Sequence, residues 1–274
     1  MPVAPGRTFA AGRCFHAALL AALLFSADVF AGASGTRDPR PKLVLLLAKT
    51  EYKTNVTVPA FAKKYLEKDF RIVVVTGSMV KVDHRFDRIE ELDDADLRFV
   101  SVVRRTPPPG QLNVIRRYVA AGKPLVGIRT TNHAFLLGPG KGESTGTRPS
   151  EKGNAHWPDW DVEVIGGNYN RAHVPIVPSI VTAVDPGHPI LRGVELTFEH
   201  PVSLYKVLPL RPGAHMLLRG TTPSGAEEPV AWTYTHKGGG RVFYTSLGVA
   251  ANFDQPAFNQ LLPNGVLWAA GRLK

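Results

Sequence analysis

Four short apolar segments, each ending in polar or charged residues, constrain the fold of this chain more than any other feature. They are residues 42–48, 70–75, 97–103 and 124–128. Their apolarity is continuous rather than alternating, which indicates strands that are covered on both faces, as in a parallel sheet. The fourth segment, PLVGI, runs directly into RTTNH. Because α/β proteins place their chemistry at the carboxyl ends of such strands, residues 129–133 are the first candidates for a site.

The segments between these strands predict helices, so the first half of the chain follows a β-α-β-α pattern. Helices are expected at residues 58–67, with Thr57 as N-cap, at 87–92 and at 110–121, which Gly122 closes. Farther along, strands are expected at residues 180–184, 204–207, 216–219, 229–235 and 241–246, with a closing helix over 256–270. The last two strands flank a Gly-rich turn and predict a hairpin. The pattern predicts an α/β fold with a doubly wound, mostly parallel sheet flanked by helices, a C-terminal β-hairpin and a closing helix.

The first 33 residues have the features of a secretory signal peptide. Arg7 and Arg13 precede an apolar run over residues 17–25, and small residues 31–33 supply a cleavage site. The run is shorter than the roughly 20 residues that span a bilayer. We therefore expect a signal peptide over 1–33, a linker over 34–41, a mature domain over 42–274 without a membrane span, and a periplasmic or secreted location. An uncleaved amphipathic anchor is the alternative.

Cleavage at this position would remove Cys14, the chain's single cysteine. The mature protein would then contain no disulfide, no thiolate metal ligand and no cysteine nucleophile. The net charge of +10 is spread along the chain without basic runs or interleaved aromatic residues. A nucleic-acid-binding surface normally shows such clustering, so nucleic acid is not an expected partner.

Several segments between residues 42 and 273 together resemble one family. Among them are EYKTNVTVPAFAKKYL, AGKPLVGIRTTNHAF, GGNYNRAH and FNQLLPNGVLWAAGR. Because these segments occur together and in this order, the chain resembles the trehalose-utilisation, or ThuA-like, family. The resemblance implies a flavodoxin-like sheet of the class I glutamine-amidotransferase type, and a role in bacterial carbohydrate metabolism. It also implies a histidine directly after TSLG, where this chain has Val249.

The turn after the fourth strand is where amidotransferases of this type carry a cysteine nucleophile. Here the turn contains Thr130 and Thr131, and the mature chain has no cysteine, so glutamine amidotransferase activity is excluded. A threonine nucleophile beside His133 would need a base and a supporting third group. A threonine that follows a strand more commonly caps a helix.

Arginines end two of the predicted strands. Arg105 and Arg129 are candidates for binding a carboxylate, a phosphate or a polyhydroxylated ring through forked hydrogen bonds. The alternative is a salt bridge to Glu51 or Asp94, because an arginine at a buried edge must be paired. Ligand binding and a salt bridge are compatible if Glu51 orients an arginine towards a ligand. Glu51 is therefore also a candidate substrate-binding residue.

Histidines supply the acid–base candidates. His133 and His173 follow a strand and a glycine loop, beside Asn132, Asn168 and Tyr169, a grouping typical of polar ligand sites. We predict His133 and His173 as catalytic and the other three as substrate-binding. Imidazole also suits a divalent metal such as zinc, for which His156 and His200 are further candidates, but no metal-ligand spacing is present.

Three aromatic residues could stack on a sugar ring, namely Trp157, Trp160 and Tyr169, although aromatic residues more often pack in cores. The resulting hypothesis is an exported protein that binds a small carbohydrate and acts on a sugar or oxidised glycoside by acid/base hydrolysis or isomerisation. The alternative is a non-catalytic carbohydrate-binding or scaffold protein. The sequence leaves the cofactor and the oligomeric state open.

Overall fold

Nine strands form one sheet in a computed structural model that describes residues 38–48, 51–78, 80, 83–138, 153–169, 172–174 and 177–273. The predicted signal peptide lies outside the described residues. The strands are β1 Lys42–Ala48, β2 Arg71–Thr76, β3 Leu97–Val102, β4 Leu125–Ile128, β5 Ser179–Ala183, β6 Thr197–His200, β7 His215–Thr221, β8 Glu227–Thr235 and β9 Arg241–Thr245. The α-helices are α1 Thr54–Tyr65, α2 Pro109–Ala120 and α3 Pro256–Ala269.

The sheet is mixed, which corrects the prediction of a mostly parallel sheet. Its strand order is β2-β1-β3-β4-β9-β8-β7-β5-β6. The first five strands pair in parallel, whereas every pairing from β9 to β6 is antiparallel. The predicted hairpin is β8–β9, and it joins the two halves because β9 pairs with β4 on one side. Strand β7 pairs with the other edge of β8, and β5 and β6 follow it, so these three strands extend the same sheet.

Helices cover the parallel half on both faces, which explains its continuously apolar strands. Leu43, Leu45 and Leu47 pack in the same apolar cluster as α1 and α3, whereas Val44 and Leu46 pack on the side of α2. All seven residues of β1 are buried. The prediction of an α/β sheet flanked by helices is therefore confirmed, and so is the closing helix.

Some predicted boundaries are wrong. Helix α1 begins at Thr54, one turn before the predicted N-cap Thr57, and the Thr57 hydroxyl instead donates to the Lys53 carbonyl from inside the helix. Residues 204–207 form no strand, since only an isolated bridge joins His173 to Tyr205. Strand β6 was not predicted, because its sequence TFEH has too little apolar character to stand out. None of the described helices is long and apolar enough to cross a bilayer.

Candidate functional site

Non-glycine residues with left-handed backbone cluster at the carboxyl edge of the parallel strands. Tyr52 and Lys53 follow β1, Arg104 follows β3 and Arg129 follows β4, with φ angles between 45° and 61°. Such conformations cost about 1–3 kcal/mol each and are concentrated at functional sites. Ligands of open α/β sheets also bind beyond these strand ends. Backbone strain and topology therefore indicate the same edge.

The turn after β4 is closed by the hydroxyl of Thr131. This hydroxyl accepts the Ile128 N–H at 3.1 Å and donates to the Val100 carbonyl at 2.6 Å. The indole N–H of the fully buried Trp160 donates to the Thr131 carbonyl at 2.6 Å. These bonds fix Thr131 as a structural residue of the turn. They also hold the segment around Trp160 against the turn.

A polar cavity of about 140 Å³ lies between this turn and residues 158–169. Its buried polar side chains are Asn132, His133 and Asp161, whereas Asp159 and Asn168 are exposed. Its other lining residues are Leu136, Pro158, Val162 and Tyr169. An engineered cavity of about 150 Å³ holds benzene, so this volume suits one six-membered ring. Among the described residues, the lining includes two carboxyl groups and no lysine or arginine, and this favours a neutral ligand over an anion.

Asp161 occupies the first position of a single π-helical turn, Asp161–Ile165. The turn is closed by a bond from the Gly166 N–H to the Asp161 carbonyl, five residues earlier, at 2.7 Å. Gly166 ends the turn with a left-handed backbone. Single π turns are rare and frequently occur at functional sites. Here the wide turn presents the Asp161 carboxyl to the cavity.

The Asp161 carboxyl is buried and only half satisfied. Its Oδ2 accepts the Tyr169 N–H at 2.6 Å, and its Oδ1 has no hydrogen-bond partner among the described residues. Burial raises the pKa of Asp161 to about 7, although the bond from Tyr169 acts in the opposite direction. A carboxyl group with this pKa can give and take a proton near neutral pH. Asp161 is therefore the strongest acid–base candidate in the cavity.

His133 and Asn132 form the second polar group of the cavity. The His133 Nδ1 lies 2.6 Å from the Asn132 Oδ1, an acceptor, so Nδ1 carries the proton and the lone pair resides on Nε2. The Asn132 Nδ2 is buried without a partner among the described residues. The amide thus sets the imidazole tautomer that a general base requires.

Gly167 leaves room for the Asp161 carboxyl. A Cβ at Gly167 would lie 2.8 Å from Oδ1 and 3.1 Å from Oδ2 of Asp161. We expect Gly167→Ala to displace the carboxyl; if Asp161 transfers a proton in a reaction, turnover should fall by roughly tenfold to a hundredfold, because small misplacements of reacting groups are that costly. Gly110→Ala is the matched control, since nothing lies within 4 Å of its Cβ. Steady-state kinetics check this, and equal rates for the two variants would contradict the assigned role of Asp161.

An aromatic group extends from His133 and Tyr169, which line the cavity, to Tyr205 and His173. Tyr169 stacks on His133 at 4.8 Å between ring centroids, and Tyr205 lies 4.9 Å from Tyr169 and 5.9 Å from His133. His173 contacts Tyr205 edge to face at 4.6 Å. The structure therefore brings together the predicted residues His133, His173, Asn132, Asn168 and Tyr169.

The two predicted arginines lie elsewhere. Arg129 is 2% exposed; its Nη1 donates to the carbonyls of Ser203 and Ser246 at 3.2 and 3.1 Å. Its guanidinium lies 4.1 Å from the centre of the Tyr205 ring and 5.0 Å from that of Tyr52. Arg129 does not line the cavity, so its role in substrate binding stays a prediction. Its charge is instead held by backbone carbonyls and aromatic faces.

Arg105 is also used within the fold. Its Nη1 and Nη2 donate to the carbonyls of Asp83 and Ser78 at 2.5 and 2.6 Å, away from the cavity lining. Asp94, a suggested arginine partner, pairs with Lys42 instead. Glu51 begins a 3-10 turn, Glu51–Lys53, and its side chain lies outside the described part of the structure.

The remaining candidates pack in the core or lie apart from the cavity. Trp157 and Trp160 are buried and do not line it, so the packing interpretation is correct and sugar stacking is wrong. His200 is fully buried, and desolvation lowers its pKa to about 3, with the charge of Arg129 adding to the effect. Among the described residues, no three His, Cys, Asp or Glu side chains are placed to hold a metal ion.

Sequence reasoning missed Asp161, which is not among the residues predicted for the site. The segment contains three acidic residues at alternate positions, Asp159, Asp161 and Glu163, so its sequence does not distinguish Asp161 from the other two. A buried acidic residue must be paired or neutral, and only the structure shows that Asp161 is the buried one of the three. Tyr205 was missed as well, since it was assigned to a strand.

Comparisons with known proteins agree on the fold. A family model described as trehalose utilisation, ThuA, matches residues 43–269. A ThuA-like protein from Bacteroides uniformis has a solved structure that is 16% identical, with a TM-score of 0.60; the match covers 89% of this chain and 97% of that one. A second, from Parabacteroides merdae, is 18% identical with a TM-score of 0.58, and the match covers 86% of this chain and 92% of that one.

The same fold occurs in a further solved structure, the N-terminal domain of mmIFT52. It is 16% identical, with a TM-score of 0.50, and the match covers 82% of this chain and 96% of that domain. No curated protein matches the chain. At these identities the structural likenesses show the fold alone, whereas the family model spans most of the sequence. The chain therefore belongs to the ThuA, or trehalose utilisation, family.

Proposed function

We propose that this protein acts in carbohydrate metabolism on a sugar or an oxidised glycoside, by acid/base hydrolysis or isomerisation. The carbohydrate class rests on membership of the trehalose utilisation family. The reaction type rests on one observation: the cavity combines the buried carboxyl of Asp161, with a pKa near neutrality, and the imidazole of His133. An acid and a base that share a cavity are what proton-transfer chemistry needs.

Two unpartnered atoms of the cavity residues support a hydroxyl-bearing ligand. The Asp161 Oδ1 is an acceptor when ionised, and the Asn132 Nδ2 is a donor; both are buried without partners among the described residues. A hydroxyl group can donate to the first and accept from the second. A polyol ring therefore satisfies both atoms at once, whereas an anionic group would oppose the Asp161 carboxylate.

Each residue then has a distinct role. In hydrolysis, protonated Asp161 would donate a proton to the departing glycosidic oxygen while His133 Nε2 accepts one from the attacking water. In isomerisation, His133 would remove the proton beside a carbonyl and Asp161 would protonate the carbonyl oxygen. Asn132 positions His133 in both cases. The volume of the cavity suits one ring, so the rest of a disaccharide would lie outside it.

The proposed place of action is the periplasm or the medium. Support comes from the basic start, the apolar run at residues 17–25 and the small residues 31–33. Mass spectrometry of the protein from an expressing bacterium checks this, since a mature chain that begins after residue 33 is expected.

The functional test uses trehalose, 4-nitrophenyl glucosides and the same sugars with one ring hydroxyl oxidised to a ketone. We expect the protein to convert at least one of them, with products identified by NMR. His133→Ala should lower kcat by roughly 10²–10⁴-fold and leave the Kd from calorimetry within a few-fold. His215→Ala is the control, because His215 is exposed and pairs with Asp185.

The outcomes separate the two hypotheses. Binding without conversion by the unmodified protein across the panel would favour a non-catalytic carbohydrate-binding protein. Absence of binding across the panel would overturn the carbohydrate assignment of this cavity. Equal kcat values for the His133 and His215 variants would remove His133 from the mechanism.

A further inference from the structure

Besides the exposed Asp159, the described lining of the cavity contains a further titratable side chain without a role in the proposed chemistry. Tyr169 lines the cavity, and its hydroxyl lies 3.0 Å from His173 Nε2. The same residue donates its backbone N–H to Asp161 and stacks its ring on His133. Tyr169 therefore contacts both residues of the proposed acid/base pair, and its phenol reaches a third group.

His173 is exposed, yet both of its ring nitrogens are engaged. Nδ1 lies 3.0 Å from the Ser203 hydroxyl, and the Ser203 carbonyl accepts a bond from Arg129. A backbone bridge between His173 and Tyr205 fixes the segment that carries the ring. A surface imidazole held in this way has a defined orientation towards the Tyr169 phenol.

We propose that Tyr169 is a further catalytic residue of this site, and that His173 is a positioning residue that acts through its phenol. This inference rests on the proposed function. A substrate hydroxyl gives its proton to Tyr169 Oη as the Tyr169 proton passes to His173 Nε2. The His173 imidazolium then releases a proton to solvent, which the exposed ring can reach. The reverse sequence returns a proton to the substrate oxygen, so the cycle is balanced.

The arrangement gives the buried cavity a route for proton exchange. Asp161 and His133 are 7% and 4% exposed, so neither is readily reset by bulk water between turnovers. Tyr169 is half-buried and His173 exposed, which places the pair between the cavity and solvent. In the described part of the chain, the other charged or titratable groups near the pair are Tyr205 and, behind Tyr205, Arg129 and Tyr52.

Burial raises the pKa of Tyr205 well above that of a free tyrosine, so Tyr205 does not ionise near neutral pH. Asp161 also changes its protonation near neutral pH, and variants of Asp161 and His133 are therefore needed as references in any pH profile of the pair.

The test compares Tyr169→Phe, His173→Ala and the double variant, with His215→Ala as a control. The substrate is whichever sugar or oxidised glycoside the unmodified protein converts. We expect each single variant to lose roughly 10–10³-fold in kcat with little change in KM, since one proton-transfer group contributes this order. Because His173 is exposed, added imidazole should restore activity to His173→Ala but not to the double variant.

A second measurement does not depend on turnover. In histidine-labelled protein, the Nε2 nitrogen resonance of His173 should shift in Tyr169→Phe and stay in place in His215→Ala. An unshifted resonance in Tyr169→Phe would overturn the pair even if no sugar is converted. Imidazole that stimulates the double variant as much as His173→Ala would also overturn it, and so would an unchanged kcat and pH profile in His173→Ala. If the unmodified protein converts none of the sugars but the resonance still shifts, the result contradicts the proposed function and not the Tyr169–His173 pair.

Discussion

Asp161→Asn is expected to remove most turnover and, at the same time, to make the protein more stable above neutral pH. The loss of turnover should be roughly 10²–10⁴-fold, because the amide keeps the shape of the carboxyl and can neither give nor take a proton. The gain in stability has a separate cause. Above its pKa the buried Asp161 carries a charge without a cationic partner among the described contacts, and asparagine carries none.

The direction in which the free energy of unfolding changes with pH follows from the pKa values of Asp161 in the unfolded and folded states. The ordinary aspartate value is 3.8, and burial raises the pKa of Asp161 to about 7 in the folded chain. Between these values the folded state binds a proton that the unfolded state lacks, so the free energy of unfolding falls as pH rises from about 4 to about 7. At 1.36 kcal/mol per pKa unit, the full change is of order 4 kcal/mol.

Urea unfolding at pH 5 and pH 8 measures the effect. The advantage of Asp161→Asn over the unmodified protein should grow between these pH values and stay constant above pH 8. Asp159→Asn is the matched control, because this exposed carboxylate belongs to the same cavity. If Asp161→Asn and Asp159→Asn gave the same dependence on pH, Asp161 would have an ordinary pKa and the proposed acid would be lost.

Arg129→Leu is expected to destabilise the fold by about 3–5 kcal/mol. Two buried carbonyls, those of Ser203 and Ser246, would lose their donor at roughly 1–3 kcal/mol each. The contacts of the guanidinium with the rings of Tyr52 and Tyr205 would also be lost. Relief from burying a cation offsets part of this total. Any loss of ligand binding in this variant would therefore report a disturbed fold.

Arg105→Leu provides a close comparison. Arg105 also donates to two carbonyls, but it is half-buried and the carbonyls belong to the half-buried Ser78 and Asp83. Water can replace the lost donors there, so a loss of about 1 kcal/mol is expected. Denaturant midpoints for the two variants check the difference. Equal losses of unfolding free energy in the two variants would show that burial does not account for the importance of Arg129. If Arg129→Leu kept full stability and lost ligand binding, Arg129 would instead belong to the ligand site.

The parallel half of the fold could be predicted because its signals are local. A strand that is buried on both faces must be apolar throughout, as β1 is, and its polar end marks the sheet edge. The antiparallel half could be predicted only in part. Whether β5, β6 and β7 form a separate unit or extend the sheet depends on the free edge of β8, which no local pattern encodes.

The candidate site shows the same division. The positions of His133, Asn132 and Tyr169 near one edge follow from strand ends and a glycine loop, and the structure brings them together. The importance of Asp161 could not be predicted, because its neutral form depends on how deeply tertiary packing buries the carboxyl. A wide π turn produces that burial, and WPDWDVEV contains no recognisable signal for it.

By itself, the sequence determined the family, the order of strands and helices in the first half, and the edge at which side chains would gather. These depend on hydrophobic patterning and turn residues, which act over a few positions. Only the tertiary structure decided which of the gathered side chains face a ligand. Arg129 donates hydrogen bonds to carbonyls 74 and 117 residues farther along the chain, whereas one oxygen of Asp161 has no hydrogen-bond partner among the described residues. The partners of a long polar side chain depend on distant segments, so folding assigns them and local sequence does not.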